Sequence, residues 1–167
     1  MFHAFVALPE QLRASTQVDS LLTANILANA SNLFVVGRGP GFPVAQETAL
    51  KFKETCGIHA EAISSAELKH GPMELMDAQT HALVLALEGP GKAELLECAA
   101  FLKGEGVQVQ IAGMHSSADI QLVPASHFVL HPACALATLY LLVDDVARLR
   151  QRNPDTPKRI QKVTHTL

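Results

Sequence analysis

The chain has 167 residues, 49% of them hydrophobic and 17% charged, with a formal net charge of −3. That length and apolar content suit one domain-sized unit with a sizeable core and exclude a disordered chain. The balance is mildly acidic (pI ≈ 6.2) and no Lys/Arg run occurs, so nothing electrostatic favours nucleic acid or a membrane surface. No apolar stretch reads as long enough to span a bilayer. The start, Met1 to Val6, lacks a basic segment and soon reaches Pro9-Glu10, against a signal peptide. Cys56, Cys98 and Cys134 are odd in number, widely spaced and free of any Cys-x-x-Cys, so they read as reduced thiols of a cytoplasmic protein.

In chain order, Pro9 to Ala30 reads as one or two helices. Leu33-Phe34-Val35-Val36 is a buried strand ending at the tight loop Gly37–Gly41. Pro43 suits the first turn of a helix whose core face is Ala45, Ala49, Phe52 and Cys56, with Gly57 as its stop. Ile58 to Ile63 is a second strand. Ser64-Ser65-Ala66-Glu67 resembles a capping box, starting a helix cut short by Gly71-Pro72. His81 to Leu87, almost wholly apolar, is a central strand. The loop Glu88–Gly91 leads to a helix over Lys92 to Lys103. Val107 to Ile111 alternates as a more exposed strand, and Ser126 to Leu130 offers a fifth. A long helix from Ala133 to about Arg150 closes the fold, and Gln151 to Leu167 is a polar and basic tail. Strands alternating with helices imply a five-stranded parallel sheet in a three-layer α/β/α sandwich. His127 and His131 lie four apart, but on a segment that reads as strand, so no metal site is expected.

In open parallel sheets ligands bind at the carboxyl ends of the strands. That rule directs attention to Gly37–Gly41, Ser64–Pro72 and Glu88–Gly91. The first loop is Gly-x-Gly-x-Gly, which meets neither the dinucleotide fingerprint nor the P-loop pattern, so no nucleotide cofactor is implied. Glu47, Lys51 and Glu54, spaced four and three apart, share one helix face opposite the core stripe. They are either a surface ion-pair ladder, or a carboxylate base beside a cation that stabilises a developing enolate. His70, on a constrained turn before Gly71-Pro72, is either a turn histidine or a group able to give and take a proton near neutrality.

Together, Leu33 to Ala45, Glu47-x-Ala49-Leu50-Lys51-x-Lys53-Glu54, His59-Ala60-Glu61-Ala62 and Glu67-Leu68-Lys69-His70-Gly71-Pro72 resemble the second SIS (sugar isomerase) subdomain of the isomerase part of glutamine:fructose-6-phosphate amidotransferases. The tail, Asn153-Pro154-Asp155-x-Pro157 through Lys162-Val163-Thr164, resembles that family's C-terminal tail. The resemblance runs from about Leu8 to the end. It implies one SIS, flavodoxin-like domain over residues 1–167, with a helical lead-in at 8–30, an α/β core at 31–150 and an active-site tail at 151–167. It further implies that Glu54 moves a proton between the first two sugar carbons, that Lys51 assists beside it, and that His70 serves ring opening from a neighbouring subunit. Lys162 would meet the substrate carbonyl, with Gln161 lining the site. The implied substrate is a sugar phosphate such as glucosamine 6-phosphate, with no metal or nicotinamide, in a homodimer that shares its active site.

The sequence also departs from those amidotransferases. Met1 is followed by Phe2, so the expectation is that this chain supplies neither an N-terminal nucleophilic cysteine nor glutamine-derived ammonia. The tail reads Lys158-Arg159-Ile160, and the chain resembles the type II glucosamine-6-phosphate deaminases more closely. The Ser/Thr-rich phosphate loop of a first SIS half is missing. The corresponding loop, Glu88–Gly91, lacks hydroxyls and carries a carboxylate that should repel a phosphate. The expectation is a catalytic half that needs an upstream SIS half, fused or separate. The rival readings are a sugar-phosphate-binding module without catalysis and a half that only supports dimer formation.

Overall fold

A computed structural model describes residues 2–156 of the chain. Its centre is a parallel sheet of β1 (Asn32–Gly37), β2 (His59–Ser64), β3 (His81–Ala86), β4 (Gln108–Gly113) and β5 (Ile120–Gln121). The strand order is β2-β1-β3-β4-β5. β1 lies between β2 and β3, with Asn32 opposite His59 and Leu33 opposite His81. Helices α1 (Phe2–Ser15), α2 (Leu21–Leu27), α3 (Gly41–Lys51), α4 (Lys92–Gly104) and α5 (His131–Leu149) cover the sheet. The three-layer α/β/α sandwich with five parallel strands is therefore as expected.

Alternation along β1 divides the interior in two. Leu33 and Val35 join Leu83 and Leu85 in one core, closed by Ala45, Ala49 and Phe52 and by Leu139, Leu142 and Val146 of α5. Phe34 and Val36 point the other way, joining Val84 and Ala86 against Leu95, Ala99 and Leu102 of α4. Every residue of β3 is buried, as a strand covered on both faces requires.

Several local expectations fail for physical reasons. The lead-in helix begins at Phe2 and runs through Pro9. The capping box does not form: Ser64 ends β2, the Glu67 N–H donates to the Ser64 carbonyl at 2.9 Å, and only two short 3₁₀ turns follow, Leu68–His70 and Pro72–Leu75. The fifth strand is Ile120–Gln121, not Ser126 to Leu130. Ile120 is fully buried whereas Phe128 and Val129 are about half exposed. The Val129 N–H donates to His127 Nδ1 at 3.3 Å, in a 3₁₀ turn (Phe128–Leu130) that runs straight into α5. Asp119 prepares the true edge strand by accepting the Ile111 N–H at 2.7 Å. Contrary to the sequence reading, Phe128–Leu149 is long and apolar enough to cross a bilayer. Its apolar stripe is instead occupied by the protein core, where α5 contacts α1, α2 and α3.

Arg150 ties three chain ends together. Its Nε donates to the Cys56 carbonyl at 2.9 Å, and its Nη1 to the carbonyls of Ala28 and Ala30 at 2.7 and 3.1 Å. These are the orphan acceptors beyond α2 and at the end of the turn that follows α3, where a cation is favoured. Gly57 sits in the left-handed region at φ 62°. A Cβ there would collide with the Arg152 guanidinium.

Two predictions follow from this packing. Arg150→Met keeps the stem but strands three carbonyls, and should cost about 2–4 kcal/mol in urea unfolding; a change within error would show that the clamp is idle. His81 is only 5% exposed, and burial holds its pKa below the ordinary value. The unfolded chain then binds the extra proton first, so stability is held above a pH of about 6.5 and is lost as pH falls below it. The urea midpoint should drop between pH 7.5 and 5.5, and drop less in His81→Leu; equal drops would contradict the assignment.

Candidate active site

The face carrying Glu47, Lys51 and Glu54 is formed by α3 and by a single π-helical turn, Phe52–Cys56, that continues it. Phe52 and Cys56 anchor the turn in the core. The wider winding therefore presents Glu54 outward from a fixed base, and such π-turns often occur at functional sites. Lys51 Nζ lies 2.6 Å from Glu54 Oε2 and 3.7 Å from Glu47 Oε1. All three side chains are about 30% exposed, so the group is sheltered yet reachable.

The hydrogen bond that Lys51 donates to Glu54, reinforced by the charges of Glu54 and Glu47, raises the Lys51 pKa and outweighs the opposing effect of burial. Lys51 thus stays cationic throughout the neutral range. Tyr140 of α5 donates its hydroxyl to Glu47 Oε1 at 3.0 Å. Burial first, then the bond to Glu47, raises the phenol pKa. Glu47 is held by Tyr140 and Lys51, whereas Lys51 pairs closely with Glu54. A carboxylate beside a fixed cation can take a proton from carbon while the cation steadies the oxygen that gains charge.

His70 lies elsewhere. It is exposed at the end of the Leu68–His70 turn, just beyond the carboxyl end of β2. Gly71 follows at φ 135°, open to glycine and strained for other residues. Lys69 rests over the Phe101 ring at 4.4 Å and fixes the segment to α4. Glu54 precedes β2, and His70 follows it. The six residues of β2 place them about 20 Å apart along the strand direction. One chain brings Glu47, Lys51 and Glu54 together but does not bring His70 to them. Gln161 and Lys162 lie outside the described residues.

A second feature occupies the carboxyl edge of the sheet, at the switch point between β1 and β3. There a cleft of about 260 Å³ is lined by the loops after β1 and β3 and by the starts of α4 and α5. Arg38 Nε faces Glu94 Oε2 at 3.3 Å, and Lys92 pairs with Glu88. The Glu88 carboxylate is thus neutralised by Lys92 and is less repulsive than the loop sequence alone implies. Among the described residues no three His, Cys, Asp or Glu side chains gather to hold a metal ion. Sequence reasoning missed Tyr140 and Arg150, because their partners lie 93 and 94 residues away and no local pattern announces them.

A profile of the SIS domain matches residues 26–133. Glutamine--fructose-6-phosphate aminotransferase [isomerizing] of Pectobacterium atrosepticum is 31% identical over 96% of this chain, which spans only 28% of that protein. The structure also superposes on a phosphosugar isomerase candidate from Silicibacter pomeroyi DSS-3, with TM-score 0.81, 30% identity, and coverage of 92% of this chain and 47% of the other. The C-terminal domain of glucosamine-fructose-6-phosphate aminotransferase from Francisella tularensis shares the fold, with TM-score 0.75, 24% identity, and coverage of 90% and 44%. The chain thus spans just over a quarter of the curated relative and about half of each solved chain. It belongs to the SIS-domain family, matching the C-terminal SIS half of glutamine--fructose-6-phosphate aminotransferase.

Proposed function

We propose that this chain is the catalytic half of a phosphosugar aldose–ketose isomerase or deaminase that acts on glucosamine 6-phosphate. It would work with an upstream SIS half that holds the phosphate. The observation that carries the reading is the Lys51–Glu54 pair, 2.6 Å apart on a π-turn and partly sheltered from water. The match to an aminotransferase whose name includes an isomerising activity supports the same substrate class.

In the ring-opened amino sugar, Glu54 takes the proton from C2 and returns it to C1. The C1 oxygen gains charge as the enol forms, and the Lys51 cation faces that charge. The aldehyde carbon becomes an alcohol and the amine carbon an imine. Water then converts the imine to fructose 6-phosphate and free ammonia. His70 moves the proton that opens the ring, and Lys162, with Gln161 beside it, holds the carbonyl end. Because His70 and Glu54 occupy opposite ends of β2, His70 reaches the site from a second copy, and the working unit is a homodimer with a shared site. Residues 1–167 act as one SIS domain, with 151–167 as its active-site tail.

In the assembly that turns over glucosamine 6-phosphate, Glu54→Gln should lower ammonia release by about 10²–10⁴-fold while leaving the melting transition in place. Release at the unchanged rate by that variant would overturn the reading.

A further inference from the structure

The geometry points to Tyr140 as a positioning residue for the proton transfer: by engaging Glu47 it leaves Lys51 to Glu54. The kinetic part of this role rests on the proposed reading of Glu54 as the base. The placement of Lys51 does not.

Lys51 has two carboxylates within reach. Glu47 stands four residues before it on α3, the order in which a glutamate–lysine pair on a helix is most favoured. Local pattern alone therefore turns Lys51 back to Glu47. The structure shows the opposite choice. Lys51 Nζ donates to Glu54 Oε2 at 2.6 Å and stays 3.7 Å from Glu47 Oε1, in ion-pair range but beyond hydrogen-bond distance.

Tyr140 accounts for that choice. Its hydroxyl donates to the same oxygen, Glu47 Oε1, at 3.0 Å. The bond draws the Glu47 carboxylate towards α5 and takes up a lone pair on the oxygen that faces the lysine. The donor is set by the scaffold. Leu139, Leu142 and Val143 on either side of Tyr140 are buried in the core that α3 also closes, so helix packing fixes the span from Tyr140 to Glu47. The phenol pKa is raised, first by burial and then by Glu47, and the hydroxyl remains a donor throughout the neutral range. Because this donor is neutral, it satisfies Glu47 without placing a second cation beside the base.

The chemical step gains from this arrangement. A lysine drawn back to Glu47 would face less of the charge that develops on the sugar oxygen, while the ground-state sugar would bind as before. The loss then falls on kcat and not on KM.

Crystal structures of the wild-type and Tyr140→Phe chains test the placement. Tyr140 is 46% exposed, so removing its hydroxyl should leave the fold intact. Lys51 Nζ should move to about 3 Å from Glu47 and away from Glu54; a lysine still on Glu54 would overturn the role. In the assembly that turns over glucosamine 6-phosphate, Tyr140→Phe should lower kcat for ammonia release about tenfold with KM unchanged. In a Glu47→Gln background the same change should have no further effect, because the competing charge is gone. Equal losses in both backgrounds, or a change in KM alone, would contradict positioning through Glu47. Unchanged release by Glu54→Gln would remove the base and with it the kinetic role, while the Lys51 position in Tyr140→Phe would still decide the placement.

Discussion

Parallel strands impose one constraint on this molecule from which the rest of its layout follows. Each strand must be followed by a crossover that carries the chain back across the sheet. β1 ends at the carboxyl edge, α3 starts there, and the π-turn with Glu54 arrives at the opposite edge, where β2 begins. His70 then appears at the carboxyl edge again, once β2 has been traversed. Sixteen positions of sequence thus separate two proton-transfer candidates by the depth of the sheet. Rotamer changes cannot close a gap of about 20 Å, so a site using both groups has to be assembled from more than one copy.

The same polarity gives the two edges different chemistry. At the amino edge, Glu47, Lys51 and Glu54 form a closely paired cluster whose cation is held charged by its neighbours. Arg150 fixes the end of the π-turn to α5 and to the segment after α2, so the cluster rests on a braced platform. At the carboxyl edge, the loops after β1 and β3 and the starts of α4 and α5 line a cleft in which Arg38 faces Glu94 and Lys92 pairs with Glu88.

Much of this was legible in the sequence where a single period governed the segment. The core stripe Ala45, Ala49, Phe52 and Cys56 is buried as its spacing implies, and Glu47, Lys51 and Glu54 share the opposite face. The apolar run of β3 is a central strand. Legibility failed where tertiary context outweighed local pattern. Ser126 to Leu130 is apolar enough for a strand, but Ile120 takes the edge position beside Asp119, which accepts the Ile111 N–H from within β4. Ser64 and Glu67 match a capping box by residue type, yet β2 uses Ser64 as its last paired residue. Phe128–Leu149 has membrane-like hydropathy because it is a core helix packed by three others. Tyr140 and the Arg150 clamp depend on partners far away in the chain.

The central claim is that Glu54 and His70 serve one site from two copies, and subunit complementation tests it most directly. Glu54→Gln and His70→Ala chains, each inactive alone in the assembly that turns over glucosamine 6-phosphate, are unfolded together, refolded in equal amounts and assayed for ammonia release. Random pairing makes half the dimers mixed, and each mixed dimer holds one intact site, so about a quarter of the wild-type activity should return. A mixture as inactive as its components would contradict a site shared between subunits.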